Sequence, residues 1–374
     1  MKRIRSIDIF RGICIFYMTW GHMINWWISQ GDFWLYEIIW NYGAPIGGGG
    51  FLLVSGMSAS ISFKRNLQKA QNSQEFGMKR ARNVYMMRCF LIFLISLMWN
   101  LIATFLMGAS GIWLWFVIQT IAISLFMAWP FLKTSRIFRI AMCFVFWIGN
   151  EFVFYWLAPY SNTQNILGYF FYFLYNTPSQ NVILGYFPFL LLGTVFGDIF
   201  SEYSSISNQI ERKVFLKKKI IRNGILFGIF LITFGLLYNF PDFSDKSTFA
   251  SHMFIVGIQL IIVAFLVYIK EIRIISFRKR YRFFEIYSFY SFTMFLAHHL
   301  LYFLFQPVFN FINIWFAIIP ILILWTVLFR FIFKKFDKYA SLKFLMNKVA
   351  IVVADRIEIF KKKKSNNVIT SQSL

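Results

Sequence analysis

Apolar residues in this chain fall in long blocks rather than at the repeat of a half-buried soluble helix or strand. Windows of roughly 18 to 25 mostly apolar residues, the length a helix needs to cross a bilayer, occur at 8–27, 43–63, 84–108, 112–132, 137–158, 181–200, 220–240, 249–269, 286–306 and 311–333. The pattern predicts an all-α polytopic membrane protein with about ten transmembrane helices. The apolar run Ile166 to Tyr175 is too short to cross and reads as an interfacial or re-entrant piece. In the second window, Gly43, Pro45 and the run Gly47 to Gly50 remove side chains and one backbone donor, so a broken or kinked helix is expected there. Non-helical backbone at membrane depth is stable only if buried in protein or lining a wet cavity, and small residues equally allow close helix packing. Both roles stay open for the glycine run.

The polar stretches between the blocks alternate in charge. Lys2, Arg3 and Arg5, then Lys64 to Arg82, Lys133 to Arg139, Arg212 to Lys219, Lys270 to Arg282 and the tail from Lys334 fall on one side of a ten-span topology, while the opposite loops carry Lys246. By the positive-inside rule this places both termini in the cytoplasm of a multi-pass cell-membrane protein. The first apolar run lacks a small-residue cleavage site and reads as a retained span. From Lys334 onward lysine alternates with apolar residues, so 337–360 is expected to form an amphipathic helix on the inner leaflet, followed by a disordered tail. The domain plan is thus a transmembrane unit over 1–335 and a basic cytoplasmic tail over 336–374.

Composition supports this reading. Hydrophobic residues make up 59% of 374, the mean hydropathy is +0.61 and charged residues are 14%, against roughly 25% in soluble domains. The net charge of +23 would suggest nucleic acid in a soluble chain. Sorted by loop, it reads instead as orientation plus attraction to anionic membrane lipids, so no nucleic-acid partner is expected. Cys14, Cys89 and Cys143 lie in apolar segments without CxxC spacing, which gives neither a disulfide framework nor a zinc ribbon.

Several ionisable residues lie inside the blocks, where each is costly and a functional candidate. Arg11 and His22 are offset by about 20° around a helix and lie roughly 16 to 17 Å apart along it, so they share one face at two depths. With the ten-span topology, His22, Asn150, Glu151 and His298 come out at one level in the outer half of the membrane. Glu151 is the carboxylate nearest the middle of any span and the natural partner for a histidine there. His298 and His299 point about 100° apart on an α-helix, so a metal site is not expected. A neutral histidine suits the general base of acyl transfer, whereas His252, near the end of its span, reads as polar packing. At the inner end Arg11, Arg80, Arg82 and Arg88 cluster near the ends of the first three spans; arginine clamps phosphate, of an anionic coenzyme or of a lipid headgroup. Trp26, Trp27, Trp34, Trp40 and Trp156 read as an interfacial aromatic belt, with sugar stacking as the functional alternative.

These residues resemble a known group. Arg11 and His22 in the first span, preceded by SID, look like the signature of the membrane-embedded acyltransferases of acyltransferase family 3. The words RIRSIDIFRGI, Arg3 to Ile13, are similar to the opening of the heparan-α-glucosaminide N-acetyltransferase catalytic domain in the same superfamily. FLLVSG, Phe51 to Gly56, the basic stretch Arg80 to Arg88, YFPFLLLG, Tyr186 to Gly193, and Ser291 with His298 resemble further family words in order. The resemblance implies transfer of an acyl group, commonly acetyl from cytoplasmic acetyl-CoA, to a sugar across the membrane. It implies Arg11 and His22 as the essential pair, Arg88 or Arg80 with Arg82, Ser55 and Gly56 at the coenzyme, and His298 or Glu151 orienting the acceptor or His22. Animal members of the heparan branch place Asn where His22 stands and use a histidine in the following loop. Met23 to Tyr42 contains no histidine, which favours O-acetylation over N-acetylation of a cell-envelope or exported glycan. A transporter is the rival reading, but paired broken helices and an internal repeat are not found.

Overall fold

The computed structural model describes residues 4–43, 45–72, 77–108, 111–176, 180–238, 248–272 and 282–372, with side chains to 357 apart from those of Met107 and Arg282. Lys246 and most of the Lys270 to Arg282 loop lie outside them. The helices are α1 (Arg5–Trp27), α2 (Trp34–Gly43), α3 (Gly48–Asn72), α4 (Met78–Met107), α5 (Val117–Phe131), α6 (Arg136–Leu157), α7 (Ile166–Tyr175), α8 (Ile183–Ser205), α9 (Gln209–Leu216), α10 (Asn223–Tyr238), α11 (Phe249–Val267), α12 (Arg282–Phe289), α13 (Ser291–Ala297), α14 (Ile314–Phe336) and α15 (Leu342–Gln372). No strand occurs among the described residues; one parallel bridge joins Ile28 to Phe309.

Among the described residues, seven stretches are helical and apolar enough to cross a bilayer, within 34–72, 78–106, 136–160, 183–205, 209–238, 249–272 and 314–357. The other three expected spans have identifiable reasons for differing. α1 is long enough but carries Arg5, Asp8 and Arg11, α5 is only 15 residues, and the 286–306 segment breaks at Tyr290 and tightens into a 3₁₀ turn from His298 to Phe303. The expected helix break in the second window falls between α2 and α3, and the short piece at 166–175 is the separate helix α7. Phe105 on α4, Phe152 on α6, Leu237 on α10 and Phe316 on α14 are each 77–79% exposed. Apolar surface on this scale is stable only against lipid, so the fold is that of an integral membrane protein.

α3 and α8 form the centre. A side chain on Gly56 would meet the Leu190 carbonyl oxygen at 1.9 Å, and one on Gly193 would meet the Leu53 carbonyl oxygen at 2.0 Å. The two backbones therefore touch, through a Gly193-x-x-x-Gly197 stripe of the small-residue kind that packs membrane helices. A buried polar knot fastens the same pair to α6. The Asp198 carboxylate is ion-paired with Arg139 and accepts from the Ser60 hydroxyl at 2.6 Å, while Arg139 also donates to the Thr194 hydroxyl at 2.8 Å. α1 packs beside α3 and against α12. Its first turn is capped from the end of the α11 helix by Glu271, which accepts from the Arg5 and Ser6 amides at 3.1 and 3.4 Å.

Overpacking at the central contact is testable. Gly56→Ala should destabilise the protein by at least about 1–3 kcal/mol. The midpoint of thermal unfolding in detergent should fall well below that of Gly149→Ala, where an added carbon meets nothing within 4 Å.

Candidate functional site

Two cavities take in the embedded Arg11 and His22 side chains of α1. The first, about 290 Å³, is lined by Arg11 of α1, Ser55 and Ser58 of α3, Arg88 of α4, Ser291 and Phe295 of α13, and Lys343 of α15. Arg11 is almost wholly buried and its guanidinium is held from three helices. One Nη donates to the Ser58 hydroxyl, and the other to Ser288 of α12 at 3.2 Å and to the Asp8 carboxylate at 3.5 Å. Ser288 in turn donates to Asp8 at 3.3 Å. Charge-assisted bonds of this kind fix a guanidinium in one orientation, so Arg11 presents a fixed positive charge to the cavity rather than reaching along α1 to the surface.

The second cavity, about 80 Å³, is lined by Tyr17, His22, Trp40, Gly48, Asn181 and His299 among others. The broken second helix makes this space. A side chain on Gly48 would lie 2.1 Å from the Asn181 Oδ1, so glycine there admits the amide to the cavity wall. The glycine run thus divides its work: Gly47 and Gly48 line the cavity, while Gly49 and Gly50 are buried in packing. Tyr17 donates its hydroxyl to the Ile39 carbonyl at 2.5 Å and holds α2 beside α1. Val117 and Phe295 line both cavities and so form the partition between them.

Three imidazoles gather beside the second cavity, and two of them, His22 and His299, line it. His22 stacks on Trp26 with ring centroids 5.3 Å apart and lies 5.2 Å from His298 and 5.9 Å from His299. The 3₁₀ turn starting at His298 lets two adjacent histidines reach one neighbour, which an α-helix would not allow. The Phe295 carbonyl faces Nδ1 of His298 at 2.5 Å and Nδ1 of His299 at 3.1 Å. A carbonyl only accepts, so both Nδ1 atoms carry the proton, and in the neutral rings Nε2 is the acceptor. Among the described residues no group of three His, Cys, Asp or Glu side chains is placed to hold a metal ion.

The structure separates the sequence-predicted residues. Arg11, Arg88 and Ser55 meet in the first cavity, the Ser55 hydroxyl donating to the Phe51 carbonyl at 2.7 Å. Arg80 does not face it; its guanidinium grips Asp355 of α15 in a two-point bond of 2.8 and 2.9 Å. Arg82 is exposed and lines neither cavity, and Gly56 is absorbed by the α3–α8 contact. Glu151 is displaced from the histidines: its Oε2 accepts from the Phe249 amide at 2.6 Å, at the N-terminus of α11. The equal depth expected from the sequence did not mean the same side of the bundle. His298 is buried against His22 but lines neither cavity, whereas His299, weighed in the sequence only as a metal ligand, does. His252 bonds the Thr248 carbonyl at 2.6 Å, as polar packing would. Of the tryptophans, Trp26 and Trp40 contact His22, Trp27 is fully buried, and Trp34 and Trp156 are exposed. Sequence reasoning missed His299, Tyr17, Asn181 and Lys343; no glycine or proline between Ser291 and Gln306 signals the 3₁₀ turn at His298.

An integral membrane helix bundle with an arginine cavity and a histidine cavity end to end along its first helix is the class that fold and site define. The sequence profile of the heparan-alpha-glucosaminide N-acetyltransferase catalytic domain matches residues 3–222, more than half of the chain, and the protein belongs to that family. No curated protein matches the chain. Family membership makes this a membrane acetyltransferase and implies a donor of the acetyl-CoA type. The match includes Arg11, His22, Ser55 and Arg88, while Ser291, Phe295, His299 and Lys343 lie beyond it.

The position of Glu151 yields a prediction. Glu151→Ala should remove a helix cap, destabilising the protein by about 1 kcal/mol in thermal unfolding, and should leave acetyl transfer at its wild-type rate in a labelling assay.

Proposed function

We propose that the protein moves an acetyl group from cytoplasmic acetyl-CoA to a hydroxyl group of a cell-envelope or exported glycan on the far side of the membrane. In this reading both termini are cytoplasmic and the Arg11 cavity is the coenzyme entrance. The observation that carries the proposal is the placement of Arg11 and His22: one helix delivers them to two cavities that share the walls Val117 and Phe295. Their separation of roughly 16 to 17 Å is of the order of a pantetheine arm, so phosphates at the arginines put the thioester near the histidines. The basic lining suits the anionic end of the coenzyme, and serines suit its amides.

His22 acts as general base on the acceptor hydroxyl. The freed oxygen attacks the thioester carbonyl, the C–S bond breaks, and the proton held on His22 passes to the departing thiolate. Both reactants must be held together for this to be efficient, and the aromatic packing of Trp26 and Trp40 on His22 fixes the ring. His299, with Nδ1 committed to the Phe295 carbonyl, keeps Nε2 as a hydrogen-bond acceptor for orienting the bound sugar. Membership in an N-acetyltransferase family makes an amine the second acceptor chemistry. The histidine in the first span, and the lack of one in Met23 to Tyr42, favour the hydroxyl.

Purified protein in liposomes, given radiolabelled acetyl-CoA and cell-envelope glycan, should label the glycan. His22→Ala should lower labelling by about 10²–10⁴-fold, and Arg11→Ala should weaken it chiefly through the donor; unchanged labelling in both rejects the mechanism. Loss of label in mild alkali identifies an ester, and its retention an amide. Phe295→Trp tests the partition. It should preserve coenzyme binding but slow transfer about 10²-fold, the penalty of a misplaced reacting group, as read by binding and turnover measured on the same preparation.

A further inference from the structure

We infer that α15, the basic C-terminal helix outside the family-matched segment, is a wall of the donor site, with Lys343 binding the coenzyme phosphates beside Arg11 and Arg88. The inference rests on the acyl-CoA reading of that cavity. Lys343 and Met346 line it together with the two arginines. Lys343, Met346, Ala350 and Ala354 follow one face of α15 at helical spacing, and both alanines are fully buried. An amphipathic helix lying on lipid keeps its lysines on the outward face. Lys343 instead stands on the packed face, exposed where that face opens onto the cavity.

Four hydrogen bonds at three points seat the helix. The amide of Leu342 donates to the Thr293 hydroxyl of α13 at 3.0 Å, and the Ser341 hydroxyl donates to the Phe289 carbonyl at 3.4 Å. Three turns further on, Asp355 takes the two-point grip of Arg80 from α4. The Arg80–Asp355 pair is therefore a positioning device: it does not touch the donor but holds the surface that carries Lys343. Three cations from α1, α4 and α15 then surround one space, an arrangement suited to a multiply charged phosphate ester rather than to a neutral solute.

The test measures affinity of the full-length protein for coenzyme A and for acetyl-pantetheine, which lacks the phosphates, in zwitterionic nanodiscs and in discs containing phosphatidylglycerol. Lys343→Ala should weaken coenzyme A about tenfold, as loss of one charge-assisted contact does, and leave acetyl-pantetheine unchanged; Lys343→Arg should restore binding. Asp355→Arg should weaken coenzyme A likewise, and the exchange Arg80→Asp with Asp355→Arg should recover it. Wild-type coenzyme binding that is insensitive to Lys343→Ala overturns the inference and leaves the proposed function standing. Equal loss for both ligands assigns Lys343 to folding, and an effect confined to phosphatidylglycerol discs assigns it to a lipid headgroup; either overturns the inference. A wild-type protein that binds no coenzyme A overturns the proposed function along with it.

Discussion

Direct contact between the backbones of α3 and α8 is the constraint on which the remaining structure depends. In lipid no water is expelled when helices meet, so association relies on close packing and internal polar bonds. Gly56, Gly193 and Gly197 bring the two helices together at carbonyl-contact distance. The Asp198 carboxylate, ion-paired with Arg139 and bonded to Ser60, then adds α6 to the pair. A buried ion pair of this kind contributes little net stability, yet removal of Asp198 leaves the buried Arg139 charge unpaired and is costly. It thus specifies which helices are neighbours. α1 and α12 pack beside this centre, and α1 lends residues to both cavities.

Within this frame α1 has a double task. It must carry Asp8 and Arg11 in an apolar setting and still remain one continuous helix of 23 residues as far as Trp27. The network Asp8–Arg11–Ser288–Ser58 satisfies the guanidinium internally and locks α1 to α12 and α3, while Glu271 stabilises the helix start. At the other end the imidazole of His22 packs against the rings of Trp26, Trp40, His298 and His299. The two ends differ accordingly: a fixed cation at one, a cluster of polarisable aromatic acceptors at the other. A donor with an anionic head and an uncharged reactive tip matches that gradient in both sign and length.

How much of this was legible depends on the range of the interaction. The Arg11–His22 face followed from helical repeat alone, because both residues sit on one uninterrupted helix. The break before α3 followed from Gly and Pro chemistry, although which glycines line the cavity did not. Glu151 shows the limit: depth along a span is set by sequence position, but azimuth around the bundle is set by which helices pack together, and α6 faces α8 and α11 instead of α1. Arg80 fails for a related reason. Its partner Asp355 lies 275 positions away, so nothing local distinguishes a phosphate-binding arginine from one that fastens a distant helix. His299 was obscured by an assumption of α-helical geometry where the chain tightens to 3₁₀.

The sequence by itself determined the helical class, the membrane setting, the break in the second span and the alignment of an arginine with a histidine on one helix. Each of these follows from hydropathy, backbone chemistry or periodicity within a single segment. Only the tertiary structure decided that the two side chains serve cavities with a common partition, that the C-terminal helix contributes a lysine to one of them, and that Glu151, Arg80, Arg82 and Gly56 stand outside both. Those outcomes depend on how helices rotate and pair in lipid, and that rotation is governed by contacts between residues that the chain order keeps far apart.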